Sequence, residues 1–175
     1  DNFDAEKADL GKYEKSLRPE DRWILSRVNS LVGDVTAQME SYQLHRIVRS
    51  ISDFILEDLS RWYIQLIRPR TWIEQDDPDK LAAYATIYEV MVKLCKLMAP
   101  FTPFLSEAIY GNLVKGLDAA ALPSVHMCDW PSADEARIDK RLEASMALVR
   151  EGSMAASNAR QKGGRKLRWP VSEIV

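Results

Sequence analysis

A chain of 175 residues, 46% apolar and 29% charged, is long enough for one domain with a real hydrophobic core, and that balance excludes disorder. A formal net charge of -2 excludes a uniformly basic nucleic-acid binder, though not a basic patch on an acidic body. No apolar run approaches the ~20 residues of a bilayer span, and the two cysteines and two histidines lack metal-ligand spacing.

Only 7 glycines over this length favour few and long elements, which means helices. Residues 1–17 hold five acidic and three basic side chains with no sustained apolar period, and read as a linker from a region outside the chain. The first helix is expected from Pro19 to about Glu40. Pro19 suits its first turn, Glu20 and Asp21 complement its positive end, and Ile24, Val28, Leu31, Val35 and Met39 form its inward stripe. Trp23 falls about 100° from Ile24, on the polar side with Arg27, Ser30 and Asp34. Either a neighbouring loop covers the ring or it is offered to an unpaired base, a stacking contact of roughly 1–3 kcal/mol.

The second helix is expected over residues 44–68. At about 100° per residue Leu44, Ile47, Val48, Phe54, Ile55, Leu59, Trp62 and Leu66 share a face, which places Trp62 in the core. Asp58 lies on that face and needs a hydrogen-bonded partner if buried. Arg61 and Arg68, two turns apart, share one edge, either solvated or holding phosphates. Pro69 disfavours helical geometry at Arg68, so Arg70 and Trp72 are expected on a loosened helix end.

A third helix is expected over residues 79–98, with Leu81, Tyr84, Ile87, Tyr88, Met91, Leu94, Cys95 and Met98 as its main stripe. Val90, Val92 and Leu97 add apolar surface on other faces, so it should be the most buried helix. Thr102 and Pro103 open a fourth, with Leu105, Ile109 and Leu113 inward and its end near Gly116. The short connections imply antiparallel neighbours. Residues 18–116 thus read as a four-helix bundle and 117–131 as a connecting loop. Ser132-Ala133-Asp134-Glu135 matches a capping box opening a long fifth helix over 132–164, and 165–175 is a basic segment entering a region beyond the chain. The expected fold class is all-α, an antiparallel bundle of four long helices plus a C-terminal fifth helix.

Antiparallel packing sets the start of the first helix beside the end of the second. Arg22, Trp23 and Arg27 would then join Arg61, Arg68, Arg70 and Trp72, with Arg165, Lys166 and Arg168 added from the C-terminal segment. Rings for stacking and arginines for phosphates suit an unpaired RNA loop. The rival is a protein-interaction bundle in which the same arginines meet acidic patches. A di-metal carboxylate bundle would need Glu-x-x-His pairs, and Tyr42 and Pro123 stand three residues before His45 and His126.

Several blocks carry a resemblance. They are Asp21-Arg22-Trp23-Ile24-Leu25-Ser26-Arg27, Leu59-Ser60-Arg61-Trp62-Tyr63-Ile64, Met98-Ala99-Pro100-Phe101-Thr102-Pro103-Phe104-Leu105-Ser106-Glu107, Ser124-Val125-His126-Met127-Cys128-Asp129-Trp130-Pro131 and Gly164-Arg165-Lys166-Leu167-Arg168-Trp169-Pro170. Together they resemble the anticodon-binding region of isoleucyl-tRNA synthetases, class I aminoacyl-tRNA synthetases, in their archaeal and eukaryotic-type branch. The first three blocks are shared more loosely with valyl, leucyl and methionyl enzymes, so the same region of another such enzyme is the alternative. The resemblance implies an enzyme that activates isoleucine with ATP and magnesium and transfers it to its tRNA. Its His-x-Gly-His and Lys-Met-Ser-Lys-Ser motifs do not occur here. By the same resemblance this chain is itself non-catalytic and without a cofactor. Its expected partners are tRNA and the catalytic domain of the same polypeptide, in a cytoplasmic monomer.

Overall fold

The computed structural model describes residues 4, 7–72, 77–118, 120–164, 166 and 169. The chain divides into two units, residues 1–138 and 139–175. The described residues contain helices and no strand, so the fold is all-α.

In the first unit α1 (Pro19–Glu40) packs against α2 (Leu44–Asp53) and α4 (Pro78–Met98). A π-helical stretch, Phe54–Tyr63, runs from α2 without a break into α3 (Ile64–Thr71), so residues 44–71 form one continuous second helix. After α4 come α5 (Pro103–Tyr110), a π-helical turn Gly111–Lys115 and a 3-10 turn Val125–Met127. Cys95, Ala99, Tyr110 and Val125 form a core cluster where α4, α5 and that turn meet.

Four local expectations are corrected. Within the segment expected as a linker, residues 10–16 form a 3-10 helix: Asp9 caps it, and Leu10 and Leu17 are buried as it lies along α4. The most buried helix is α1, with 11 of 22 residues buried, because it is enclosed by both neighbouring helices and by residues 135–137. On α4 Leu94 and Cys95 of the expected stripe are buried, with Val90 and Leu97, but in its first half Ala82, Ala83, Ala85 and Thr86 are buried while Leu81, Tyr84, Ile87 and Tyr88 are half-buried. Leu105, expected inward on α5, is exposed beside Phe104, whereas Ser106 and Tyr110 turn to the core.

The second helix departs from its expected face for a geometrical reason. Phe54 and Tyr63 are both buried, yet nine α-helical residues make about two and a half turns and would set them on opposite sides. The i→i+5 bonding of the π stretch spends more residues on each turn and brings Tyr63 round to the core. Beyond the start of that stretch Leu66 is consequently exposed and Trp62 half-buried; Leu44 and Val48, before it, are exposed as well, and Ile47, Ile51, Phe54, Leu59, Tyr63 and Ile67 make the core face.

The capping box at 132–135 does not form. Asp134 caps a 3-10 turn, Glu135–Arg137, and its backbone N–H donates to the buried Asn29 Oδ1 at 3.0 Å. That side chain also accepts from Lys93 Nζ at 2.7 Å and donates Nδ2 to the Leu25 carbonyl at 2.7 Å. Trp130 Nε1 donates to Thr36 Oγ1 at 2.9 Å, so residues 130–137 are strapped to α1 and do not join a helix.

The second unit is the long helix α6 (Lys140–Lys162), capped by Asp139, whose side chain accepts from the Leu142 amide at 2.9 Å. Gly163 closes it, and Gly164 follows at φ 65, a conformation favouring glycine. Arg160 donates Nη2 to the Lys166 carbonyl at 3.0 Å and to the Trp169 carbonyl.

Candidate nucleic-acid interface

The start of α1, the end of α3 and the start of α4 are tied together by one buried polar knot. Asp21, fully buried, serves as the α1 capping group by accepting the Arg18 backbone N–H on Oδ2 at 2.9 Å. Arg70 meets the same carboxylate side-on, Nη1 to Oδ1 at 3.0 Å and Nη2 to Oδ2 at 2.9 Å. Tyr63 donates its hydroxyl to Oδ1 at 2.7 Å. Arg70 also reaches Glu20 at 3.3 Å, the Asp79 carbonyl at 2.8 Å and the Asp79 carboxylate at 2.9 Å, and Arg18 closes the ring on Asp79 Oδ2 at 2.6 Å.

Paired charges away from water need most of their protons and lone pairs hydrogen-bonded, and here both Arg70 Nη groups are engaged while its buried Nε has no partner. Burial alone would depress the Arg70 pKa, but the hydrogen bonds and negative charge of Asp21 outweigh it and raise it above the ordinary value. Burial, reinforced by Asp21, pushes Tyr63 well above the usual phenol value, so it stays protonated as a donor. Tyr63 had no distinguishing signal in the sequence, since its role depends on the π stretch turning it inward.

Two expected RNA contacts are buried, one of them in the knot. Arg70 is 3% exposed, because α3 continues through Pro69 and carries it against Asp21. The helix survives Pro69 because Gln65 and Pro69 both face solvent, where water can satisfy the carbonyl left without a donor. Trp23 is 2% exposed, so its ring is packed and not offered to a base. On the same side of α1, Arg27 bonds Asp58 at 3.0 Å, which orients that side toward the second helix. Arg27 is thus the partner that the buried Asp58 requires, and is engaged in structure.

Around the knot Arg22, Arg68 and Trp72 remain outward, Trp72 at 78% exposure. Arg22 and Arg68 form no ion pair with any described residue. Their spacing is set by the knot: Arg22 follows Asp21 directly, and Arg68 and Trp72 flank Arg70 by two residues each. Arg61 is exposed and pairs with Glu57 one turn before it. Lys166 is exposed in the second unit, while Arg165 and Arg168 lie outside the described residues. Arg46 and Arg49 of α2, not singled out above, are also exposed. Their signal was legible, since both lie opposite Ile47 and Ile51.

The acids of the knot do not suit magnesium, because Asp21 and Asp79 are already held by arginines. No group of three or more His, Cys, Asp or Glu among the described residues could hold a metal ion. No helix of the described residues is long and apolar enough to cross a membrane.

A family model described as the anticodon-binding domain of tRNA ligase matches residues 21–175. All of the chain aligns with isoleucine–tRNA ligases, at 69% identity for Methanothrix thermoacetophila, 61% for Methanosarcina barkeri and 53% for Thermococcus kodakarensis. It spans 16% of the length of each of these relatives.

Proposed function

The chain belongs to the anticodon-binding domain family of tRNA ligases, and on that premise we propose that it grips the anticodon stem-loop of tRNA-Ile. The polypeptide it serves is an isoleucine–tRNA ligase, a cytoplasmic monomer that joins isoleucine to its tRNA with ATP. A separate catalytic domain holds the ATP and magnesium, and this chain contributes binding and orientation. The observation that carries the RNA reading is the outward set Arg22, Arg68 and Trp72 around a rigid knot. Two cations with no ion pair to any described residue, beside an exposed ring, match the chemistry of a splayed, unpaired loop, with phosphates on the guanidiniums and a base on the indole. Lys166, with Arg165 and Arg168, would add charge from the C-terminal segment.

Titration of the full-length protein with tRNA-Ile at two salt concentrations tests the reading. Phosphate contacts release counterions, so affinity should fall steeply and linearly on logarithmic axes. A flat salt response, or no binding, would favour the protein-interaction bundle instead. Which amino acid is attached is tested separately, by isoleucine-dependent pyrophosphate exchange of the same protein.

A further inference from the structure

We infer that the side of α6 on which Arg160 lies is a docking surface for a part of the same polypeptide that follows Val175. The inference stands apart from the RNA reading and concerns the second unit alone. None of the 23 residues of α6 is buried. At about 100° per residue Leu142, Met146, Val149, Ser153, Ala156 and Arg160 lie within about 40° of one direction. Three large apolar side chains and two small ones thus form a stripe that ends at a single cation. A helix with such a stripe is stabilised by packing that face on another element, yet Leu142 and Met146 are only half-buried and Val149 is 58% exposed.

The way the chain leaves α6 says what covers the stripe. Helical side chains point back toward the helix N-terminus, so the Arg160 guanidinium is directed over the turn that holds Ala156. Its Nη2 donates to the Lys166 carbonyl at 3.0 Å and to the Trp169 carbonyl, and the Trp169 N–H closes a turn on that Lys166 carbonyl at 3.0 Å. Backbone six and nine residues after Arg160 is therefore held on the stripe side, past the reversal at Gly163 and Gly164. Ser153 and Ala156, being small, leave room for a backbone to lie close. From Leu142 to Arg160 is 18 residues, about 27 Å of helix. An extended chain advances about 3.3–3.6 Å per residue, so the first residue after Trp169 able to reach Leu142 is about eight further on, beyond Val175. In the longer relatives, of which this chain spans 16%, polypeptide outside the chain is available for that role.

The test uses the full-length protein with Val149→Cys or, as a control, Leu148→Cys, each treated with a maleimide and read peptide by peptide by mass spectrometry. Leu148 is 69% exposed and about 100° round the helix from Val149. Docking predicts labelling roughly tenfold slower at position 149 than at position 148, since a packed site reacts only when it opens. Equal rates, or protection at position 149 that appears only when tRNA is added, would overturn the inference. The occupant is identified without any change of packing by a diazirine analogue of methionine incorporated at Met146. Its cross-links should fall on residues beyond Val175. Cross-links confined to residues up to Val175, to a second molecule or to solvent would overturn the assignment, whatever the outcome of the tRNA titration.

Discussion

Arg70 and Asp21, 49 residues apart, meet through two parallel hydrogen bonds at 3.0 and 2.9 Å in a setting closed to water. Arg70→Ala leaves the Asp21 charge buried without its cation, and the expected cost is about 3–5 kcal/mol, read as a lower midpoint in denaturant. Arg70→Lys should recover only part, since one ammonium cannot reproduce the planar double contact. A stability within experimental error of wild type would show that the knot is not structural.

Trp23 and Trp72 should separate cleanly. Trp23→Ala removes a buried indole and should cost roughly 3–5 kcal/mol of stability. Trp72→Ala should leave the melt unchanged and weaken tRNA binding by roughly 1–3 kcal/mol if the ring stacks on a base. Unaltered tRNA affinity in Trp72→Ala would remove that ring from the interface.

Asn29 fastens residues 130–137 to α1 through the Asp134 amide, with Lys93 on the same oxygen. Asn29→Ala strips two donors of their acceptor and should cost roughly 1–3 kcal/mol. Hydrogen exchange should quicken at Asp134 before it does in α1. Unchanged protection at that amide would mean the strap is held elsewhere.

Alkaline pH should weaken the first unit. Burial raises the pKa of both Tyr63 and Tyr110, the latter to about 12 with help from the Cys128 hydrogen bond. The unfolded phenols titrate near ~10, so the fold holds protons that the open chain releases. This contribution is complete below about pH 10 and is lost as pH rises through the folded values. Denaturation midpoints should therefore fall above about pH 10, before phenolate absorbance accounts for all six tyrosines. Tyr63→Phe should lower stability at neutral pH, through loss of the Asp21 contact, and make the alkaline decline shallower. An equally steep decline in that variant would rule out Tyr63 as a source.

Helix positions were legible because capping and apolar period are local: α1 begins at Pro19 and ends at Glu40, and Pro103 opens α5, as the residues dictate. Asp58's need for a partner was equally local, and Arg27 meets it. A helical wheel says which side of a helix a residue takes but not what covers it, so Trp23 read as either covered or offered to a base, and the structure covers it. Arg70 was misplaced because Pro69 argued for a helix end, while the side chain's destination, Asp21, is a long-range fact. The π stretch left no trace in the apolar pattern, and it alone displaced Trp62 from the core and turned Tyr63 into it.

That stretch also governs how the chain can change in length. Because i→i+5 bonding absorbs residues that an α-helix of the same rise would not need, Phe54–Tyr63 sets the rotational phase of everything after it. Excising a single residue within it, and so favouring ordinary α bonding, would swing α3 by roughly a quarter turn. Arg70 would then leave Asp21, and Trp72 would leave the side it shares with Arg68. A scan of one-residue deletions should consequently be far more damaging there than in the turn at residues 41–43, where slack can be taken up without rotating a helix.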